Sequence, residues 1–180
     1  LYNALCDSWR VLGLQAHGAC LYDSAQHCFD RALLATDQMK NDKQYEERDI
    51  DDNYSSLYGT LGNLYNIQGM LHLALDYYFK ALPIFQRYGW KESQVILYYN
   101  VGELYLELGN YDAAEENYQK ALEVGLQTGD SLMVCGPYGG LAMTALNAGN
   151  YQVALDEQDR ERKQEREARK NKNKAEKKED

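Results

Sequence analysis

The side chains best suited to metal binding lie close together near the start of the chain. His17, Cys20, His27 and Cys28 fall within twelve positions, and His17 and Cys20 would share one face of a helix. Structural zinc sites use more regular spacings of cysteine and histidine, and the four cysteines of the chain form no CxxC pair. We therefore predict no metal ligands, and we interpret the cysteines as small buried thiols, which are typical of a reducing compartment.

Two other stretches have the residue types of ligand-binding loops. Asp49, Asp51 and Asp52 stand together, but neither EF-hand spacing nor a central glycine accompanies them. The preferred interpretation is a solvated helix end with Asp52 or Asn53 as its N-cap. The glycines at 136–140 are followed by no Lys-Ser or Lys-Thr pair, so no phosphate-binding loop is predicted there.

The sequence also lacks a catalytic motif. It contains no HExxH, no nucleophile and base at a recognised spacing, and no glycine-rich loop that continues into a lysine. Its three histidines lie at unrelated positions. We therefore predict a protein that is not an enzyme, with no catalytic residues and no cofactor.

The net charge of −9 is unevenly distributed along the chain. Residues 1–155 carry nine basic and nineteen acidic side chains, a net charge of −10, whereas residues 156–180 carry ten basic and nine acidic ones. An acidic surface repels a phosphate backbone, so no nucleic-acid partner is predicted. We expect residues 156–180 to form a charged helix or tail that is partly disordered. A basic nucleic-acid arm is the alternative, which the near cancellation of charge disfavours.

The elements that position these residues are clearest between Tyr98 and Gly129. The large residues Tyr98, Val101 and Tyr105 recur at helical spacing. Small residues, Gly102 and Ala114, stand where two helices would approach each other, and Gly109 and Asn110 form the predicted turn. Tyr118 and Ala121 continue the same stripe on a second helix. The stretch is therefore predicted to form a helix-turn-helix unit.

This unit resembles the tetratricopeptide repeat, in which an aromatic residue, Leu-Gly and Tyr are followed after a turn by Ala, an aromatic residue and Ala. A second copy consists of Tyr58, Leu61, Gly62, Tyr65, Gly69, Ala74, Tyr78 and Ala81. An upstream copy consists of Trp9, Leu12, Gly13, Ala25, Phe29 and Ala32, with Ala19-Cys20 at its turn. A fourth copy begins with Tyr138, Leu141 and Ala142, turns at Gly149-Asn150-Tyr151, and becomes polar after Ala154.

The resemblance implies an all-α fold, namely a right-handed α-α superhelix (an α-solenoid) of about four such units. The units lie near residues 6–39, 55–88, 95–128 and from 135 to 155 or beyond, so that the array spans 1–155. The first helix of the array is predicted from about Asp7. Pro83 is predicted to kink or loosen its helix, and Pro137 to lie in the first turn of a helix or to break it. The polar end of the fourth unit would act as a cap.

In this family the first helix of each pair, the A helix, lines the concave groove, and this implies a binding surface. The predicted peptide- or partner-binding residues are Arg10, Asn63, Asn66, Ile96, Tyr99, Asn100, Glu103 and Met143. Asparagine amides can hydrogen-bond an extended backbone in both directions, while the apolar and aromatic groups can hold side chains. Arg10 is the one base that we place in the groove, which disfavours the carboxylate clamp of chaperone adaptors.

The resemblance therefore implies a non-catalytic module that binds a protein or peptide ligand. Its repeat spacing near 40 residues is similar to that of polarity scaffolds and of bacterial regulators and sensors, so we expect it to be part of a larger signalling or regulatory protein. The alternative is a self-associating scaffold or spacer, which would make the chain a homodimer.

The sequence contains no apolar run near the ~20 residues of a membrane span, so no membrane insertion is predicted. The chain starts at Leu1 without a methionine or a signal peptide, and we interpret it as an excised piece or a processed product. The unpaired cysteines favour a cytoplasmic location. An exported, periplasmic sensor region whose signal has been removed is the alternative.

Overall fold

The computed structural model describes residues 1–150, and its helices follow the predicted pairs. The helices are α1 (Tyr2–Gly18), α2 (Tyr22–Met39), α3 (Glu47–Ile67), α4 (Leu71–Tyr88), α5 (Lys91–Glu107) and α6 (Tyr111–Thr128), and α7 covers residues 132–150. No strand occurs within these residues. The fold is all-α, as predicted. The predictions for Tyr151 onward, including the charged tail and the polar cap, lie outside the described residues.

Helix pairs stack on one another to form the superhelix. α1 packs against α2, α3 against α4 and α5 against α6, while α2–α3 and α4–α5 contacts join successive pairs. One apolar core runs through the stack and includes Leu57, Leu61 and Leu64 of α3, all fully buried. Because no pair can bury its apolar stripe alone, the stacking of neighbours is what makes the fold stable.

Within each pair, an aromatic ring of the second helix lies directly on a glycine of the first. The pairs are Gly13 with Phe29, Gly62 with Tyr78 and Gly102 with Tyr118. A Cβ atom on Gly102 would lie 2.7 Å from Cε1 of Tyr118, which is too close for any real contact. The glycine therefore lets the two helix backbones approach each other, as the repeat pattern predicts.

The predicted turns and helix ends are confirmed in the first three units. Gly89 and Gly129 end α4 and α6 in the left-handed conformation, and Gly69 and Gly109 adopt positive φ angles in the turns between paired helices. The corresponding turn of the first unit has Cys20 at φ 60°, the one non-glycine residue with positive φ among residues 1–150. A side chain in this conformation is strained.

Both α1 and α3 begin earlier in the chain than the residues predicted for their starts. α1 begins at Tyr2 rather than Asp7, so the first residues extend it. α3 begins at Glu47, and Asp52 and Asn53, predicted as N-cap candidates, lie inside it. Glu47 and Asp49 occupy its first turn, where negative charge interacts favourably with the helix dipole.

The predictions for Pro137 and for the last turn are wrong. α4 continues as a helix through Pro83 to Tyr88, and the kink or loosening at Pro83 stays a prediction. α7 starts five residues before Pro137 and continues past it, so neither alternative for this proline is correct. The reason is packing, because Gly125 of α6 lies against the first turn of α7 and the Tyr118 ring lies on Gly140. Gly149 and Asn150 were predicted to form a turn but are helical.

The cysteines are only partly as predicted. Cys6 is buried, and its Sγ lies 3.3 Å from Oγ1 of Thr36; burial raises the pKa of this thiol. Cys20 and Cys135 are exposed, which contradicts the interpretation of all four as buried thiols. α1 ends at Gly18, so His17 and Cys20 do not share a helix.

Two findings concern membranes and metals. None of the helices in the described part of the chain is long and apolar enough to span a membrane. The same residues contain no group of three or more His, Cys, Asp or Glu side chains that could hold a metal ion.

Candidate functional site

A cleft lies between the A helices α3 and α5. Its volume is about 190 Å³, and its lining residues include Ser56, Gly59, Asn63, Ile96 and Asn100 from these two helices, with Tyr78 and Phe85 of α4 behind them. In α3 the lining residues follow alternating spacings of three and four, which places them on one face of the helix. Three of the predicted binding residues, Asn63, Ile96 and Asn100, therefore come together in one cleft.

The side-chain amides of Asn63 and Asn100 form a pair in which the oxygen of Asn63 is the acceptor. The Tyr78 hydroxyl donates to Oδ1 of Asn63 at 2.5 Å, and Nδ2 of Asn100 makes a longer contact of 3.4 Å to the same oxygen. The oxygen of Asn63 is therefore used within the protein. The Nδ2 of Asn63 donates to no described residue. The Oδ1 of Asn100 accepts no hydrogen bond from a described residue. A donor on α3 and an acceptor on α5 thus remain available to a ligand.

Tyr78 holds this pair from behind. Its side chain is fully buried, with the ring on Gly62 and the hydroxyl at Asn63. Burial raises the pKa of Tyr78 to about 12. The hydroxyl is therefore protonated at neutral pH and acts as a fixed donor that orients the Asn63 amide.

Glu103 occupies the same position in the next unit. Its Oε1 accepts a short hydrogen bond from the hydroxyl of Tyr118, a fully buried residue whose pKa is raised by burial and by the carboxylate of Glu103. Glu103 also raises the pKa of Tyr99, although burial has the larger effect. The ring of Tyr99 lies 5.7 Å from that of Tyr118. Tyr99 therefore contributes to helix packing.

A second, polar cavity continues the groove between α1 and α3. Its volume is about 160 Å³, and it is lined by Asn3, Asp7, Arg10, Asp49, Asp52, Asn53 and Ser56. Arg10 donates to Asp7 at 3.0 Å and to Ser56 at 3.2 Å, while its Nε is buried without a partner. The predicted groove base therefore lies among carboxylates, which largely neutralise it.

The remaining predicted residues lie outside these cavities. Asn66 is half-buried on α3, and Met143 on α7 is 51% exposed. These two residues, like Tyr99 and Glu103, line neither the α3–α5 cleft nor the α1–α3 cavity. Ile96 is 55% exposed although it lines the cleft, which leaves an apolar side chain in contact with solvent.

Sequence reasoning missed two parts of this site. The repeat pattern marks Tyr78 as a packing residue, but its hydroxyl also bonds to Asn63. Asp49 and Asp52 had been assigned to a solvated helix end, yet they line the α1–α3 cavity. The spacing 49, 52, 56, 59 and 63 indicates one continuous helix face, and this signal could have found them.

The family comparison agrees with the fold. The family model described as tetratricopeptide repeat matches residues 53–127 and, in a second overlapping match, residues 92–174. Together these matches cover more than half of the chain. No curated protein matches the sequence.

Two solved structures show the same fold at low sequence identity. The structure of BtubC (BKLC) from P. vanneervenii has a TM-score of 0.67 and 21% identity, and the match covers 82% of this chain and 57% of that one. The apo form of RapI has a TM-score of 0.71 and 17% identity, and the match covers 86% of this chain and 40% of that one. The chain thus corresponds to about half of the length of these two proteins.

Proposed function

The chain belongs to the tetratricopeptide repeat family, and from this premise we propose that its concave groove binds a peptide or a protein segment in an extended conformation. The family mediates protein–protein interaction, and a location within a larger signalling or regulatory protein fits that role. Such a module needs no catalytic residues. The proposal includes the absence of a nucleic-acid partner, because residues 1–155 carry a net charge of −10.

The polarised amide pair is the observation that carries this proposal. Asn63 presents N–H donors and Asn100 presents a carbonyl acceptor, which matches the two groups that every peptide bond offers. The Tyr78 hydroxyl fixes the orientation of Asn63 before any ligand arrives. A group held in place in this way loses little conformational entropy on binding, so it favours affinity.

The shape and polarity of the cleft fit an extended backbone. Gly59 lines the cleft, and a Cβ atom on it would meet nothing within 4 Å, so a ligand backbone can come close to α3 there. Ile96 and Phe85 offer apolar surface beside the amides. Apolar pockets with a few polar groups that set orientation are typical of binding sites.

Filling the cleft tests the proposal without disturbing the core. Gly59→Gln adds a side chain to open space on a helix, where a glutamine is favoured over glycine by about 0.5–1 kcal/mol. Gly18→Gln is the matched control, because Gly18 also lies in a helix and its Cβ would meet nothing within 4 Å, but it does not line the cleft. Urea unfolding would show that both variants are folded.

The ligand probe is a random dodecapeptide library displayed on phage. We expect wild-type protein to enrich peptides whose binding, measured by fluorescence anisotropy, is at least about tenfold weaker for Gly59→Gln and unchanged for Gly18→Gln, a loss of roughly 1.4 kcal/mol. The proposal fails if no peptide is enriched, or if the enriched peptides bind Gly59→Gln as well as wild type.

A self-associating scaffold is the second candidate, and one observation favours it. A cavity of about 290 Å³ between α1 and α2 is lined by Leu5, Trp9 and Leu34 among others, and Leu5 and Leu34 are exposed. This apolar surface could contact a second copy. Light scattering from 1 to 100 µM separates the two: a constant monomer mass supports the peptide receptor, and a rising mass that Leu34→Glu abolishes supports the scaffold.

The proposed location is the cytoplasm. All four cysteines are free of disulfide bonds, as is usual in a reducing compartment. An exported sensor region remains the alternative, and fractionation of cells that produce the parent protein would distinguish them.

A further inference from the structure

The groove is negatively charged on both sides of its neutral middle. On one side, three carboxylates, those of Asp7, Asp49 and Asp52, share the α1–α3 cavity with the single guanidinium of Arg10. Arg10 pairs with Asp7 at 3.0 Å. Asp49 and Asp52 have no cationic partner among residues 1–150, so this end of the groove retains negative charge.

On the other side, Glu103 is a carboxylate that forms no ion pair with a basic side chain of residues 1–150. Its described polar contact is the hydroxyl of Tyr118, which lies fully buried behind it. α7, which packs beside this position, contributes Gly136 next to Tyr99 and Gly140 under Tyr118. None of these neighbours carries a positive charge, so no basic side chain of residues 1–150 compensates the exposed carboxylate of Glu103.

The two charged ends belong to one continuous surface. Ser56 lines both the α1–α3 cavity and the α3–α5 cleft, so the first leads directly into the second. Glu103 follows Asn100 by one turn of α5, and helical spacing places both on the same face. Between the ends lie the amide pair and the apolar side chain of Ile96.

Apart from Arg10, no basic side chain of the described region lines the cavity or the cleft, and six of them contact residues elsewhere. Arg31 lies over the ring of Trp9, Lys80 over Tyr77, Arg48 over Tyr88 and Lys40 over Tyr54, while Arg87 pairs with Asp51 and Lys120 with Glu116. None of them lines the cavity or the cleft. The negative potential of the groove is therefore not cancelled by the basic side chains of residues 1–150.

From this arrangement we infer that the partner is a basic segment: an extended peptide with two Lys or Arg side chains that flank an apolar one. This inference rests on the proposed function of the groove. One basic side chain meets Asp49 and Asp52, the apolar side chain meets Ile96 and Phe85 beside the amide pair, and the second basic side chain meets Glu103. Opposite charges across an interface mainly determine which partner is chosen and how fast it binds.

The probe is a set of nonapeptide libraries in which one position at a time is fixed as Lys, Arg, Glu, Leu or Ala. We expect binding to wild-type protein to favour Lys or Arg at two positions and Leu between them, and to disfavour Glu at the same two. Glu103→Gln keeps an acceptor for Tyr118 but removes the charge, and should abolish the preference at one position. Asp49→Asn with Asp52→Asn should abolish it at the other.

Control variants distinguish the preference for basic peptides from peptide binding in the groove as such. Asp76→Asn and Glu123→Gln remove exposed acids of α4 and α6 and should change neither preference. Each groove variant should weaken a Lys-containing peptide about two- to fivefold at low salt, and less at 1 M NaCl. If peptides bind and Gly59→Gln blocks them without any preference for basic residues, this inference is wrong and the groove function stands. If no library binds, both are wrong.

Discussion

All three helix pairs pack an aromatic ring on a glycine, but the first pair differs from the next two in whether that ring carries a hydroxyl. In the first pair the ring on Gly13 is Phe29, and the residue after the glycine is the exposed Leu14. In the second and third pairs the rings are tyrosines, and their hydroxyls reach the residue after the glycine, Asn63 or Glu103. A hydroxyl is thus present where the groove residue is polar and absent where it is apolar.

This difference shows that the packing layer also organises the binding surface. A buried hydroxyl needs a partner, and in these pairs the partner is a groove side chain that is thereby oriented. The first pair has no such hydroxyl, and an aliphatic residue, Leu14, stands at the corresponding position. The following predictions break or sharpen that comparison, beginning with the largest expected effect.

Gly102→Val should destabilise the protein most. Its Cβ atom would lie 2.7 Å from a ring atom of Tyr118, and the buried ring cannot move aside, so we expect a loss of about 1–3 kcal/mol in the free energy of unfolding. Urea denaturation measures it. Gly59→Ala is the control and should be neutral or slightly stabilising, because its Cβ enters open space. Equal stability of Gly102→Val and wild type would contradict the packing account.

Phe29→Tyr alone should lower the free energy of unfolding, and a second substitution, Leu14→Asn, should restore part of the loss. Phe29 is fully buried, so its new hydroxyl would lack an acceptor, at a cost of about 1–3 kcal/mol. Adding Leu14→Asn should give the new hydroxyl an amide acceptor, as Asn63 provides for Tyr78. We expect this to recover about 1 kcal/mol of the free energy of unfolding as coupling energy. A double-mutant cycle by urea unfolding measures this term, and purely additive effects would show that the hydroxyl and the groove residue are independent.

Tyr78→Phe should cost about 1 kcal/mol at neutral pH, because Asn63 loses its hydrogen bond. The substitution should also reduce the loss of stability at alkaline pH. The pKa of Tyr78 is about 12 in the folded protein and 10 in the unfolded chain, so above pH 10 the unfolded state binds fewer protons and stability falls as pH rises. Unfolding from pH 8 to 11.5 should show a shallower loss for Tyr78→Phe than for wild type or for the exposed Tyr138→Phe.

Cys20→Gly should give the smallest effect and the opposite sign. Cys20 has φ 60° in a turn where the other two pairs have glycine, so glycine relieves strain and should stabilise the protein by about 0.5–1 kcal/mol. Gly69→Ala should destabilise it by a similar amount. Thermal unfolding under reducing conditions checks both. A destabilised Cys20→Gly variant would mean that the thiol has a structural role.

Local pattern was sufficient for most of the fold. The pairing of α3 with α4 and of α5 with α6 follows from apolar spacing and turn glycines, which act over a few residues. The start of α3 was not predictable in this way. It depends on contacts with α1, such as Arg10 with Ser56 and Asn53 with Asn3, which join residues more than 40 positions apart.

The groove was predictable as a face but not as a set of bonds. The register implied by the family resemblance placed Asn63, Ile96 and Asn100 together, because positions on stacked A helices repeat. It did not reveal that Tyr78 would use the oxygen of Asn63, since a hydrogen bond depends on side-chain geometry across two helices. α7 was misjudged because Pro137 is a poor helix residue by propensity, and tertiary packing overrides propensity there.

The most direct test of the groove is to observe its side-chain amides while a ligand binds. Peptides enriched on wild-type protein should be titrated into ¹⁵N-labelled chain, and the side-chain amide signals of Asn63 and Asn100 followed by NMR. We predict that these signals shift in proportion to occupancy, together with backbone signals of α3 and α5, and that Gly59→Gln suppresses the shifts. Shifts confined to α2, α4 and α6, with both side-chain amides unaffected, would contradict the assignment of the groove as the binding site.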